Sequence, residues 1–136
     1  MSVCVAVEVF QMKKLKLRVF PEELVVWKLP AGAPLPSVGE SEFWSVTRTS
    51  EELSVVSAPR LVAPGCPSET GWRCIAIKGP LPFEEIGVLA ALSAPLAEAG
   101  ISIFVVSTFD TDYLLVKDFQ LERARAVLLK AGHDFV

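Results

Sequence analysis

The run Ile86-Gly87-Val88-Leu89-Ala90-Ala91-Leu92-Ser93-Ala94 contains no charged side chain, and it constrains the fold more than any other stretch of the chain. Pro82 precedes it, placed where a fixed φ suits the first helical position, and Gly100 follows as a stop. Together they predict a helix over about 83–99. A helix covering one face of a sheet normally keeps a polar stripe for water. This one has none, so its sequence asks for cover on both flanks, from N-terminal strands or from a second copy of the chain. Pro95 predicts a kink, and the segment is too short and too interrupted for a membrane span.

Around this helix the pattern alternates. Residues 72–77 read as a strand, 101–107 as a buried strand and 113–117 as another. Over 121–131, Leu121, Ala124, Val127, Leu128 and Ala131 share one helical face, and Gly132 ends the pattern. Strand–helix–strand–strand–helix predicts an α+β fold of the ferredoxin-like βαββαβ type, an antiparallel sheet with both helices on one face. Little remains for a last strand beyond Asp134-Phe135-Val136, so 15–20 is expected to fill the empty sheet edge.

The first half has a different texture. Residues 15–20 and 24–29 read as a hairpin around Pro21-Glu22-Glu23, and in Lys14-Leu15-Lys16-Leu17-Arg18 the charges mark a wet strand face. Prolines make 30–36 a loop. Strands follow at 43–47 and 53–57, joined by a turn at 49–52, where Thr49 and Glu52 also match a capping box for a short helix. Trp44, Trp72 and Phe83 read as core. Pro64-Gly65-Cys66-Pro67 separates a strand-rich unit, 1–64, from a second unit, 65–136.

Composition narrows function by exclusion. The chain is 51% apolar with a net charge of −3, which suits a globular protein and argues against nucleic acid, since phosphate binding needs clustered Lys and Arg. Cys4, Cys66 and Cys74 show no metal-ligand spacing and cannot all pair, pointing to reduced thiols and a cytoplasmic location, with Cys74 a small core residue. Residues 2–10 are too short to span a membrane and lack a basic residue ahead of them. Met12, before Lys13 and Lys14, offers an alternative start, and otherwise the first residues read as an extra edge strand. His133 is expected to be exposed and has no catalytic partner motif. No phosphate loop, nucleophile elbow, metal site or cofactor motif appears, so no catalytic residue is assigned and the chain reads as a non-enzyme.

The remaining chemistry sits in Ser107-Thr108-Phe109-Asp110-Thr111-Asp112-Tyr113-Leu114-Leu115-Val116, an acidic turn between apolar strands. Asp110 and Asp112 have a plain reading as turn formers. Their alternative is to accept hydrogen bonds from a ligand's ammonium. The loop 79–82 leads into the helix start, where unpaired N–H groups favour a carboxylate, with Leu81, Phe83 and Glu84 as expected donors.

Taken in order, Phe43-Trp44-Ser45-Val46-Thr47-Arg48-Thr49, Glu52-Leu53-Ser54-Val55-Val56, Gly71-Trp72-Arg73, Gly79-Pro80-Leu81-Pro82-Phe83, Gly87-Val88-Leu89-Ala90, Pro95-Leu96-Ala97, Gly100-Ile101-Ser102 and residues 107–116 resemble the ACT domain superfamily. The resemblance is to compact tandem-ACT proteins related to the CASTOR arginine sensor. It implies a non-catalytic, regulatory amino-acid sensor that holds a free amino acid or similar small molecule between ACT units. Its site would comprise Asp112, Gly87, Thr108, Phe109, Glu85 and Phe83, with Glu85 suited to a basic ligand side chain. The arginine sensors contain four ACT units, so the resemblance also implies a homodimer. A ligand-free interaction or assembly module is the alternative.

Overall fold

The computed structural model describes residues 14–81 and 87–136. Its axis is β5, Ser68–Ile77. One edge of β5 pairs antiparallel with β2 (Leu24–Leu29) through its first half and with β1 (Lys16–Val19) through its second. The other edge pairs with β7 (Asp112–Lys117), and β6 (Phe104–Ser107) lies outside β7. On the far side of β2 come β4 (Leu53–Ser57) and then β3 (Ser45–Arg48). A short β8 (Asp134–Phe135) runs parallel to β1 at the opposite edge, a departure from a wholly antiparallel sheet.

The expected hairpin of 15–20 with 24–29 does not form. Both β1 and β2 are antiparallel to β5, so they run in the same direction, end to end, and cannot pair with each other. Phe20 N–H still donates to the Cys74 carbonyl at 2.9 Å, holding the link against β5. The edge assignment is sound, because β1 occupies the position beside β5 that a last strand would otherwise take. At 49–52 the turn prevails over the capping-box helix, with the Thr49 hydroxyl accepting the N–H groups of Glu51 and Glu52 at 3.1 Å.

Side-chain alternation divides the core. Along β5, Ile75 and Ile77 face α1 (Val88–Glu98) and α2 (Leu121–Lys130), while Trp72, Cys74 and Ala76 pack on the other face with Phe20, Phe43 and Leu115. Both helices therefore lie on one face. Val88, Leu92 and Leu96 are buried along α1, each contributing about 1.5–3 kcal/mol of hydrophobic stabilisation. Outward on α1 stand Ala90, Ala94 and Ala97, exposed in this chain. The described N-terminal strands, β1 to β4, do not cover them, since those strands belong to the sheet. Up to Ala97 the helix presents a methyl-sized outer face instead of a second buried one, and the exposed Glu98 follows at its end.

Both helices end in a left-handed glycine. At Gly100 (φ +74°) the Ile101 N–H donates to the Leu96 carbonyl at 2.9 Å and Gly100 N–H to Ala97 at 3.0 Å. At Gly132 (φ +104°) the same pattern places His133 next in line, its N–H on the Leu128 carbonyl at 3.1 Å. That turn carries His133 inward, to 3% exposure, so the expected solvent position is wrong. Its Nδ1 accepts Leu15 N–H at 3.2 Å, which leaves the proton on Nε2, facing the Ala91 carbonyl at 3.3 Å. One imidazole thus links β1, α1 and the end of α2. Trp44 also departs from its core reading and is 49% exposed, since its neighbour Phe43 takes the inward position against Phe20 and Tyr113.

Candidate functional site

The β6–β7 hairpin closes through residues 108–111. Thr108 donates its N–H to the Thr111 carbonyl at 2.8 Å and its hydroxyl to the same carbonyl at 3.1 Å. Thr111 buries its own hydroxyl against the Ile77 carbonyl, at 2.8 Å, which anchors the turn to the end of β5. The chain leaving β5 is held against the same turn by Leu81 N–H, which donates to the Asp110 carbonyl at 2.7 Å. At Gly79 a Cβ would stand 3.0 Å from the Asp110 carbonyl oxygen and 3.1 Å from Thr111 Cβ, so any side chain there presses on the turn by a few tenths of an ångström. The loop leading toward α1 and the acidic turn are therefore one bonded assembly. Leu81 N–H is committed to Asp110, so the expectation that it would serve a ligand carboxylate is corrected.

Asp112 opens β7. Leu114 and Val116 belong to the helix-covered core and Tyr113 and Leu115 to the opposite one, so the pleat puts Asp112 on the helix face. It is half-buried, and among the described residues no hydrogen bond or ion pair holds its carboxylate. Ser107 stands directly opposite it across the hairpin and is exposed. Ser107 was not among the expected site residues, yet it shares a face with Asp112, because cross-strand partners do. Asp110, Thr108 and Phe109 lie exposed at the tip, Phe109 at 81%.

Gly87 caps α1 with φ +85°, a conformation suited to glycine, and provides no side-chain cap for the first-turn N–H groups. Phe83 and Glu85, along with Glu84, lie outside the described residues. The described part of the site thus offers one partly desolvated carboxylate and, on the same sheet face, a helix start. A carboxylate and a helix start are groups that can pair with the two opposite charges of one small molecule. Among the described residues no cluster of three or more His, Cys, Asp or Glu could hold a metal, and no helix is long and apolar enough to cross a membrane. Away from this site, burial pushes the Cys74 thiol up to about 12, which keeps it protonated and inert.

The model of the ACT domain matches residues 67–130, the span from β5 through α2 that builds this site. The chain belongs to the ACT domain family. The chain is also similar to the human cytosolic arginine sensor for mTORC1 subunit 1, at 46% identity over 48 residues. That match covers 35% of this chain and 15% of the human protein, so the chain spans a small part of that relative's length. A solved structure, protein Atu0741 from Agrobacterium tumefaciens, is similar throughout: 35% identity, 91% of this chain and 93% of that one, TM-score 0.85. The regulatory subunit of aspartate kinase from Thermus flavus shares the fold at 10% identity and TM-score 0.59, covering 88% of this ACT protein and 99% of that chain.

Proposed function

We propose that this chain is a regulatory protein that binds a free amino acid, or a closely similar small molecule, without converting it. The observation that carries the reading is Asp112, a half-buried carboxylate without a partner among the described residues, on the face shared with an uncapped helix start. The ligand ammonium donates to Asp112, and its carboxylate accepts from the N–H groups after Gly87. Each such charge-assisted bond contributes about 1.5–3 kcal/mol. Thr108 and Phe109 border the ligand. Glu85 and Phe83 complete the proposed set from outside the described residues, Glu85 facing a basic side chain.

In this reading the units 1–64 and 65–136 form a tandem, and a cytoplasmic homodimer brings four units together with the ligand at an interface between units. Binding favours one relative orientation and so shows or hides a partner surface, a population shift limited by the ligand's differential affinity. Titration calorimetry against the twenty amino acids, with arginine first given the human relative's name, tests it. Saturable heat with one of them, weakened at least about tenfold in Asp112→Asn, supports the reading. A folded chain giving no heat with any of them returns it to a ligand-free assembly module.

A further inference from the structure

The hydroxyl groups at the end of the β6–β7 hairpin have different fates. That of Thr108 donates to the Thr111 carbonyl at 3.1 Å and accepts the Thr111 N–H at 3.4 Å. That of Thr111 is buried and donates to the Ile77 carbonyl at 2.8 Å. Both are committed to holding the turn. Ser107 is exposed, and among the described residues its hydroxyl makes no hydrogen bond. It is the hydroxyl left for a molecule from outside the chain, as Asp112 is the carboxylate left for one.

The ladder sets how close these two groups stand. Thr108 N–H donates to the Thr111 carbonyl at 2.8 Å, which makes 108 and 111 a bonded pair. Bonded and non-bonded pairs alternate along an antiparallel ladder, so Ser107 and Asp112 form a non-bonded pair, the kind that brings facing side chains closer. Directly opposite residues hold their Cβ atoms roughly 4.5–5.5 Å apart. Both side chains lie on the face that carries the helices, and no hydrogen bond joins them to each other. On the other side of Asp112 the register runs on from Ala76 with Tyr113 to Ile77, which is buried and apolar. The polar neighbour of Asp112 across the ladder is therefore Ser107.

Two facing acceptors at that spacing fit one nitrogen that carries several protons. With charge-assisted N–H···O distances of about 2.7–2.9 Å and tetrahedral geometry, two acceptors on one ammonium stand about 4.5–5 Å apart. A primary ammonium has N–H groups for both, and a secondary one still has enough. A tertiary ammonium has a single N–H, which goes to the stronger acceptor, Asp112, and leaves Ser107 without a donor.

We propose that Ser107 determines selectivity at the ligand nitrogen: its hydroxyl accepts a second N–H of the ammonium that Asp112 holds by the first, so the site prefers primary and secondary ammonium groups to tertiary ones. This role depends on the amino-acid reading above, with Asp112 as its acid. Calorimetry of the full chain against the twenty amino acids identifies the one held most tightly by wild type. That amino acid and its N,N-dimethyl form are then titrated into wild type, Ser107→Ala, Ser107→Thr and Asp112→Asn. Ser107→Ala is expected to weaken the parent amino acid about tenfold and the dimethyl form by less than about twofold. Ser107→Thr keeps a hydroxyl at a strand position that suits threonine and should bind the parent within about threefold of wild type. A Ser107→Ala protein that binds the parent as wild type does overturns the proposal. So does equal weakening of both forms, or a Ser107→Thr protein as weak as Ser107→Ala, since either assigns Ser107 to packing. In those three outcomes a loss in Asp112→Asn leaves the amino-acid reading standing without Ser107. No heat from any amino acid with folded wild type, or unchanged affinity in Asp112→Asn, overturns both.

Discussion

Ser107 and Asp112 face each other across the last pair of the β6–β7 hairpin, and both side chains fall on the sheet face that carries the helices. One residue further out, the turn is bonded to the end of β5 by Thr111 and to the chain approaching α1 by Leu81. The position of Asp112 is thus fixed by three separate segments, which is the kind of support a binding carboxylate needs if its geometry is to be kept.

Gly79 is where that support is most exposed to mutation. Gly79→Ala sets a methyl group 3.0 Å from the Asp110 carbonyl oxygen, and backbone on both sides must shift to admit it. The expected cost is about 1–3 kcal/mol in urea denaturation, together with weaker ligand binding. Unchanged stability would show that the 78–81 loop moves freely from the turn.

His133→Ala removes the acceptor for Leu15 N–H and the donor to Ala91. Leaving Leu15 N–H buried and unpaired is expected to destabilise the chain by about 1–3 kcal/mol. His133→Gln, which retains a donor and an acceptor, should recover part of the loss. Amino-acid affinity measured well below the transition midpoint should not change, since His133 supports the fold and not the ligand.

Glu22 supplies a pH dependence. Burial alone would raise its pKa, but the bond from Arg60 at 2.9 Å, with those from Glu42 N–H and Ser41, outweighs burial and holds the carboxyl below the usual range. A carboxylate depressed in the folded state stabilises above its unfolded pKa, and that contribution is lost as pH falls through the folded value. Arg60 is largely exposed, so the expected loss in Glu22→Gln at neutral pH is about 1 kcal/mol or less. Thermal midpoints of the two proteins should converge on acidification; a gap that widens toward low pH contradicts the assignment.

Cys66 is partly exposed, whereas Cys74 is buried with its thiol pushed up to about 12. Mapping of alkylated peptides from folded protein at neutral pH should find Cys66 modified and Cys74 untouched until denaturant is added. Modification of both at similar rates would mean that the core beneath Trp72 opens easily.

How far the sequence carried the fold depended on range. Local chemistry was legible: Gly100 and Gly132 ended their helices, the prolines of 30–36 made a loop, and the Leu15, Leu17 alternation marked a buried strand face. What failed was long-range. The 15–20 and 24–29 runs looked like a hairpin because they are neighbours, but each finds a better partner in β5, far along the chain, as in Leu17 with Ile77 and Leu24 with Trp72, and nothing local records that. His133 was read as exposed because the helix pattern had ended, yet a residue just after a left-handed glycine is turned back toward the helix and often packs there. In the site, Asp112 falls on the sheet face that carries the helices; Gly87, expected inside a helix over about 83–99, instead caps a helix that is described from Val88, and Leu81 proved already bonded.

The most direct measurement is a backbone amide NMR titration of the chain with the amino acid that gives heat in calorimetry. Binding as described shifts the resonances of Ser107, Thr108, Phe109, Asp112, Gly87, Val88 and Leu89 together and leaves those of β3 and β4 unmoved, with the effect lost in Asp112→Asn. Shifts confined to β3, β4 or β2, with the 107–112 turn and the start of α1 silent, contradict an amino acid bound at Asp112.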